Sequence, residues 1–482
     1  MTRETQQRKC DSGHRRGFWR NKGGNIALIT AFVMIPLTFA LGMAFDFTLS
    51  QTRKDQLDGI ADAAALGTVT PTEMALPCPT AAAQAVTLFN GQEATVAGVT
   101  GLSVATPGCP DVTSGTTVTR AITVNYTAQS QNVFASLLGM PTLPIHGSST
   151  ATSSTAPNIN FYLLLDTSPS MEIAATTTGI TQLEGLTIAQ QTDSTPQGCA
   201  FGCHETAPSG CSGTGKNQVC WNDVPGNPAN TDNYSLAESN NISLRIDLVR
   251  EATQNLMTSA ASTETADHAT YKAAINTFDV STNVIQTLTS NLSTAGSQAA
   301  NITPLLVYRN NYLTSGNDND DEDTYIDAAL ADVNTTSSNI YMPTPGGGTN
   351  NPQDTPQEVL FIVTDGMNDE LVGSGGNCGS STRACVPIDV TGSLCTAIKN
   401  RGIRIAVLYT VYYPLDTDPA GGQTWYDLYI DPTTAPPLPN ISPDAQACAS
   451  PGLFYAVSTN GDISAALQTL FQEAVATARL LH

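Results

Sequence analysis

Positive charge is scarce in this chain once its first residues are passed. Of 482 residues, 20 are Lys or Arg and 42 are Asp or Glu, a formal charge of −22. Seven of the basic residues (Arg3, Arg8, Lys9, Arg15, Arg16, Arg20 and Lys22) precede Gly23 and face only Glu4 and Asp11 there. The remainder carries 13 basic against 40 acidic residues, or −27. A body of that sign repels nucleic-acid phosphates and anionic lipid headgroups, so the bulk of the protein is not expected to bind either. Three catalytic signatures are absent too: G-x-S-x-G, H-E-x-x-H and a phosphate-binding glycine loop. Gly346 to Gly348 is an isolated glycine run that reads as flexible loop.

What is present begins with the basic arm, residues 1–23, and the uncharged run behind it. Ile26 to Phe45 is 20 residues long without a charge. At about 1.5 Å per residue this is roughly 30 Å of helix, the thickness of a bilayer's hydrocarbon core. Pro36 within it is tolerated in a membrane helix. Basic residues before the run and Asp46 after it put the N-terminus in the cytoplasm and the bulk outside, by the positive-inside rule. A cleavable signal peptide is the competing reading, with Ala40-Leu41-Gly42 near a possible cut; the length of the run and the lack of a polar stretch after Gly42 favour an anchor. Gln51 to Leu66 is helix-forming, with Leu57, Ile60, Ala61, Ala64 and Ala65 at helical spacing, so residues 24–67 read as a membrane helix prolonged into a stiff stalk.

Ten of the 11 cysteines lie beyond the span, an even number consistent with up to five disulfides in an oxidising compartment. Connectivity is not legible, although Cys78 with Cys109 is the most economical local pair. Cys199, Cys203, His204, Cys211 and Cys220 could hold zinc, but disulfides fit the compartment better. Three residues separate Cys199 from Cys203 where haem attachment normally has two.

Residues 68–157 are rich in Thr, Val, Ser, Ala and Gly, with alternating runs such as Ala121 to Tyr126, and read as a small β-rich module with a helical turn at Val133 to Leu138. From residue 158 to 482, apolar strands alternate with helical stretches: Phe161 to Leu165, Leu244 to Ser262, Lys272 to Phe278, Thr324 to Val333, Val359 to Thr364, Val386 to Asn400, Ile403 to Tyr409, Leu453 to Val457 and Ile463 to Leu481. That succession predicts an α/β fold with a doubly wound, mostly parallel sheet and polar insertions at about 172–240, 366–385 and 413–447.

Two strand ends carry the chemistry. Asn160 to Leu165 runs into Asp166-Thr167-Ser168-Pro169-Ser170, one carboxylate and two hydroxyls presented by one tight turn. Hard oxygen ligands of this kind suit Mg²⁺ or another small divalent cation. Val359 to Val363 runs into Thr364-Asp365-Gly366. A fifth oxygen is available from Thr324, which opens a helical pattern and leaves 40 residues before Asp365 for a helix and a return loop; Thr349 leaves 15, interrupted by Pro352 and Pro356. The acidic run Asn317 to Asp323 lacks the glycine of an EF-hand and reads as a solvated loop. An aspartate-nucleophile phosphohydrolase of the haloacid dehalogenase class would also end its first strand in Asp, but needs a second carboxylate two residues on, where Ser168 stands.

Two resemblances rest on these residues. R-N-K-G-G-N-I-A-L-I-T-A-F followed by D-F-T-L-S-Q-T-R-K-D-Q-L-D-G-I-A-D-A-A-A-L-G resembles the N-terminal region of TadE/TadG-like proteins of Flp (tight adherence) pilus assembly. Some of those proteins are cut after a glycine and carry a glutamate five residues on; here Ile29 follows Gly24 at that distance, so processing is not expected. Asp166-x-Ser168-x-Ser170, Thr324 and Asp365, each at a strand or helix end, resemble the metal-ion-dependent adhesion site of von Willebrand factor A domains over residues 158–482. Together the two point to TadG-like proteins. The resemblance implies a non-enzymatic, single-pass protein of the bacterial inner membrane whose periplasmic domain binds a divalent cation and through it a carboxylate of a pilus or envelope protein. The alternative is an envelope scaffold that uses no metal.

Overall fold

The computed structural model describes residues 23–93, 95–109, 111–114, 117–188, 198–202, 211–212, 219–220, 233–305, 323–351, 353–378, 381–413 and 441–478. The chain forms two compact units, Met1–Val69 with Pro79–Cys109 and Ile122–Ala151, and Thr70–Cys78 with Pro110–Ala121 and Thr152–His482. The first elements in chain order are α1 (Gly23–Gly67), α2 (Pro71–Met74), α3 (Cys78–Glu93), β1 (Val99–Ala105), β2 (Asp111–Ser114), β3 (Thr117–Gln131) and β4 (Thr142–Thr155).

In the first unit, α1 is continuous through Pro36 and, from Ile26 on, is long and apolar enough to cross a membrane. Its C-terminal third is not a free stalk. Leu57, Ile60, Ala61, Ala64 and Ala65 are buried with Ala81, Ala85 and Phe89 of α3 and Ile122, Val124 and Tyr126 of β3. Arg53 donates to Ala97 O, Ser130 Oγ and Gln131 O, and the Tyr126 hydroxyl donates to Asp58 Oδ1 at 2.6 Å. The stripe of small residues is what lets a helix and a sheet close on this face. The module is thus built of helix and sheet, with the 16-residue α3 unanticipated by its β-rich composition. The helical turn expected at Val133 to Leu138 is present at Ala135–Leu138.

The second unit continues with β5 (Ile159–Asp166), α4 (Thr177–Leu186), the two-residue strands β6 (Cys211–Ser212) and β7 (Val219–Cys220), α5 (Asn233–Ser239), α6 (Arg245–Asp267), β8 (Tyr271–Phe278), β9 (Thr282–Thr289), α7 (Leu292–Gln298), α8 (Ile326–Asn334), β10 (Gln357–Thr364), β11 (Met367–Leu371), β12 (Arg383–Pro387), α9 (Ser393–Asn400), β13 (Arg404–Thr410), α10 (Ile441–Cys448), β14 (Phe454–Val457) and α11 (Ile463–Ala478). Its main sheet has the order β14-β13-β10-β5-β8-β9. The pairs β14–β13, β13–β10, β10–β5 and β5–β8 are parallel, and only the β9 edge is antiparallel. This is the doubly wound, mostly parallel α/β sheet that the alternation of strands and helices implies. The edge strand β9 is Thr- and Asn-containing and half solvated, which is why no apolar run announced it.

Strands buried on both faces explain the continuous apolar runs. Phe161, Leu163 and Leu165 of β5 join Val359, Phe361 and Val363 of β10 in one core, against α6 and α11. Tyr162 and Leu164, with Leu360 and Ile362, face the opposite core, against α8, α9 and α10. Each such side chain contributes about 1.5–3 kcal/mol on burial. The Phe161 ring meets those of Tyr271, Phe361 and Phe471 at 5.3, 6.1 and 5.2 Å, centre to centre. The Cys395–Cys448 disulfide ties α9 to α10.

Insertions differ in character from the expected loops. Residues 366–385 hold an antiparallel hairpin, β11 with β12, closed by the Cys378–Cys385 disulfide and by a bidentate pair from Arg383 to Asp369, Nε to Oδ1 at 2.8 Å and Nη2 to Oδ2 at 2.6 Å. Cys78 and Cys109 are both disulfide-bonded. Cys211 and Cys220 stand opposite each other across β6 and β7, while Cys203 and His204 lie outside the described residues, as do Asn317 to Glu322 and most of 413–447.

Candidate metal centre

The chain leaves β5 in one direction, toward β8, and returns on its other side as β10. Such a reversal opens a crevice beyond the carboxyl ends of the two strands, the usual ligand position in open α/β sheets. Register places the two acids there: Leu165 pairs with Val363, so Asp166 and Asp365 end adjacent strands at nearly the same height. Both are almost wholly buried, at 0 % and 1 % exposure.

Around Asp166 the turn is held by its own hydrogen bonds. Asp166 Oδ1 accepts from Ser168 N at 2.9 Å and Ser168 Oγ at 2.6 Å, and Oδ2 accepts from Thr364 Oγ1 at 2.6 Å. The Ser168 and Ser170 hydroxyls lie 3.1 Å apart. Thr364 Oγ1 also accepts from Gly366 N, whose positive φ of 78° lets the chain turn sharply after Asp365. Thr364 thus joins the two strand ends. In the sequence it stands in the Thr364-Asp365-Gly366 turn with only Asp365 singled out as a ligand, and its role depends on cross-strand placement that no local pattern encodes. Thr364→Val, close in shape, is expected to destabilise the unit by about 1.5–3 kcal/mol, as for a lost hydrogen bond to a charged group; urea unfolding reads this, and an unchanged midpoint and slope would remove Thr364 from the account.

Asp365 Oδ1 accepts weakly from Met367 N at 3.4 Å, while Oδ2 is buried without a hydrogen-bond donor among the described residues. Burial pushes the Asp365 carboxyl above its ordinary range, opposed by the Ser170 hydroxyl and the Arg245 guanidinium. Burial raises Asp166 as well, and the negative charge on Asp365 raises it further. Two buried carboxylates that repel each other, one with an unmatched oxygen, form a site short of positive charge. Arg245 supplies only part of it, since its Nη2 donates to Val411 O at 2.8 Å and Thr459 Oγ1 at 3.3 Å.

The candidate threonines part company. Thr324 forms a backbone bridge with Asp369 of β11, the strand that directly follows Asp365, donating to Asp369 O at 3.0 Å and accepting from Asp369 N at 2.8 Å. Its neighbour Tyr325 donates to Asp279 O, and Asp279 Oδ2 accepts from Thr167 Oγ1, inside the Asp166–Ser170 turn. Thr349 lies elsewhere: Gly348 O accepts from Asn158 N, just before β5, and Thr349 Oγ1 donates to Asp354. Eight residues of strand, roughly 25 Å, separate that end from Asp166. Sequence spacing favours Thr324 for want of room after Thr349; the structure puts Thr349 at the wrong end of the sheet.

Two carboxylates and several hydroxyls without nitrogen or sulfur donors make a hard-oxygen set, and the unmatched Asp365 Oδ2 fits a cation ligand. Among the described residues one other cluster has metal-like spacing, Asp369 with Cys378 and Cys385, but its sulfurs are joined as a disulfide and its carboxylate is held by Arg383.

Fold and site together define an α/β protein with a candidate cation site at the switch point of its sheet, preceded by an N-terminal apolar helix. Residues 24–70 match the family model described as "Putative Flp pilus-assembly TadE/G-like", which makes the N-terminal region TadE/G-like. No curated protein matches the chain. Among solved structures it is similar to the von Willebrand factor domain of the type V pili tip protein Mfa5 from Porphyromonas gingivalis, with 9% identity over 68% of this chain and 99% of that one and a TM-score of 0.32. It is also similar to the PilB minor pilin from Streptococcus sanguinis, with 12% identity, coverage of 79% and 78%, and a TM-score of 0.31. Proximal thread matrix protein 1 from the mussel byssus, with a zinc-occupied metal-ion-dependent adhesion site, gives 10% identity, coverage of 67% and 48%, and a TM-score of 0.31. The functional reading rests on this chain's own site.

Proposed function

We propose that the protein is a membrane-anchored adhesion or assembly component of a Flp-type pilus system, which binds a divalent cation, Mg²⁺ by the donor set, through Asp166, Ser168, Ser170, Thr324 and Asp365. The observation that carries the reading is the pair of buried, mutually repelling carboxylates at the sheet's switch point, with Asp365 Oδ2 unmatched. A bound cation would neutralise that charge and offer an open position to a carboxylate of a protein partner in the pilus or envelope. The chain's own residues hold the donors in place: Thr364 and the backbone of Ser168 orient Asp166, and Gly366, at positive φ, turns the chain sharply after Asp365.

The apolar helix following a basic arm supports an inner-membrane anchor with the bulk in the periplasm. Capture of partners from crosslinked cells, with and without EDTA, tests the whole reading. Wild-type protein is expected to retain pilus or envelope components, and both EDTA and Asp166→Ala are expected to release them. Capture that survives both, with the fold intact by circular dichroism, would leave only the metal-independent scaffold.

A further inference from the structure

Beyond the cation site, the first unit exposes a cluster of large apolar side chains in one short loop. Val133, Leu137, Leu138 and Met140 are 49–76 % exposed, and Phe134 is 36 % exposed. A soluble surface scatters such residues singly; a contiguous group marks a site of contact. This group has a fixed position on α1. Asp46, itself 1 % exposed, accepts from the backbone N–H groups of Val133, Phe134 and Ala135 at 2.6–2.9 Å. The Phe134 ring meets Phe45 edge-on at 5.9 Å and covers Gly42, where an added Cβ would lie 2.6 Å from the Phe134 side chain. Gly42 and Phe45 belong to the uncharged run, so the loop is pinned level with the last turn of the apolar helix.

We propose that residues 133–140 form a wedge that enters the outer leaflet of the bilayer beside α1, making the first unit a two-point membrane contact. The proposal rests on α1 spanning the membrane. The wedge meets the exposed apolar surface of α1 at Phe45, and Leu41, one turn back on the same side, is exposed too; in a span the surroundings of both are lipid. No charged residue occurs between Asn132 and Ile145, and the body of the chain is acidic, so insertion is driven by apolar burial and not by attraction to anionic headgroups. Arg53, seven residues beyond Asp46, stands about 10 Å further out, at headgroup height, and holds the base of the loop through Ser130 Oγ and Gln131 O. The depth of a segment of this kind is about 5–10 Å below the headgroup boundary.

The test uses the full chain in phosphatidylcholine vesicles carrying lipids brominated either near the glycerol end or at the acyl terminus. Ile35→Trp reports the span and Leu137→Trp the wedge, each read as the difference from wild type. The expected result is loss of Leu137→Trp emission with the shallow-brominated lipid and little loss with the deep one, unchanged by high salt or added phosphatidylglycerol, while Ile35→Trp is quenched by the deep lipid. Quenching of Ile35→Trp without quenching of Leu137→Trp overturns the wedge and leaves the anchor. Absence of quenching at both overturns the anchor and the wedge with it. Adding Leu137→Asp and Leu138→Asp to a Phe134→Trp reporter is expected to leave protease resistance intact and to raise the reporter's solvent exposure; if the pair instead dissolves a complex between protein chains at unchanged quenching, the surface docks protein and the proposal fails.

Discussion

Asp166→Asn is expected to abolish divalent-cation binding and, in EDTA, to make the second unit more stable than wild type. The two effects have one cause. In the absence of a cation, burial and the proximity of Asp365 raise the Asp166 carboxyl above its ordinary range, and burial raises Asp365. A carboxyl whose folded pKa exceeds its unfolded value of about 3.9 stabilises the fold fully only below that pH, and the contribution is lost as pH rises through the folded value. Metal-free wild type should therefore lose stability from acid toward neutral pH. Asp166→Asn removes one charge while its side-chain oxygen can still accept from Ser168 N and Oγ, and its amide NH2, in the place of Oδ2, can donate to the Thr364 hydroxyl. A gain on the order of 1–3 kcal/mol near neutral pH is expected, shrinking in acid.

Cation reverses the ranking. For wild type, a ligand at 100 times its Kd adds about 2.7 kcal/mol, which the variant cannot gain. Thermal unfolding of the full chain with Mg²⁺ or EDTA, across pH, reads both effects; calorimetric titration reads the binding directly. Asp365→Asn and Thr324→Val should weaken binding, whereas Thr349→Val should leave it unchanged because that hydroxyl is engaged with Asp354 at the other end of β5. Equal apparent Kd for wild type and Asp166→Asn would sink the metal reading.

Asp111→Ala is expected to cost about 3–5 kcal/mol, the largest stability loss of any change proposed, because it strands a buried guanidinium. Arg120 is fully buried, and its Nε and Nη2 meet Asp111 Oδ1 and Oδ2 at 2.7 and 2.8 Å. The same guanidinium donates to Glu73 O and Leu76 O, the carbonyls at the end of α2. Those bonds hold the guanidinium against the backbone at and just beyond the end of α2. Asp111 and Arg120 face each other across β2 and β3, so the pair also clips the two strands. Replacing both, as Asp111→Leu with Arg120→Met, should recover much of the loss, since a buried ion pair is often no better than an apolar pair of similar volume. Urea unfolding of the two variants checks this. A single variant as stable as wild type would mean that the guanidinium finds water when its partner is removed.

Much of the fold is legible in the sequence itself. The apolar runs at Phe161 to Leu165, Val359 to Val363 and Ile403 to Tyr409 read as doubly buried strands because a strand covered on both faces has no polar side to show, and that property is local. The membrane-length helix is legible for the same reason, as is the Asp166-x-Ser168-x-Ser170 turn, where all the donors lie within five residues. The stalk is a different case. The small residues at Leu57 to Ala65 announce a helix, but whether it stands free depends on α3 and β3, distant partners that bury it.

Sequence alone determined the doubly buried strands, the long apolar helix and which turns carry oxygen donors, because those follow from periodicity and side-chain chemistry over a few residues, whereas α3, β9 and the β11–β12 hairpin carry no such local signal. Tertiary structure alone decided that Asp166 and Asp365 lie side by side, that Thr364 bridges to Asp166 across 198 residues, and that Thr349 belongs to the far end of the sheet. Strand order and register are set by the packing of two cores at once, and no single segment contains that information.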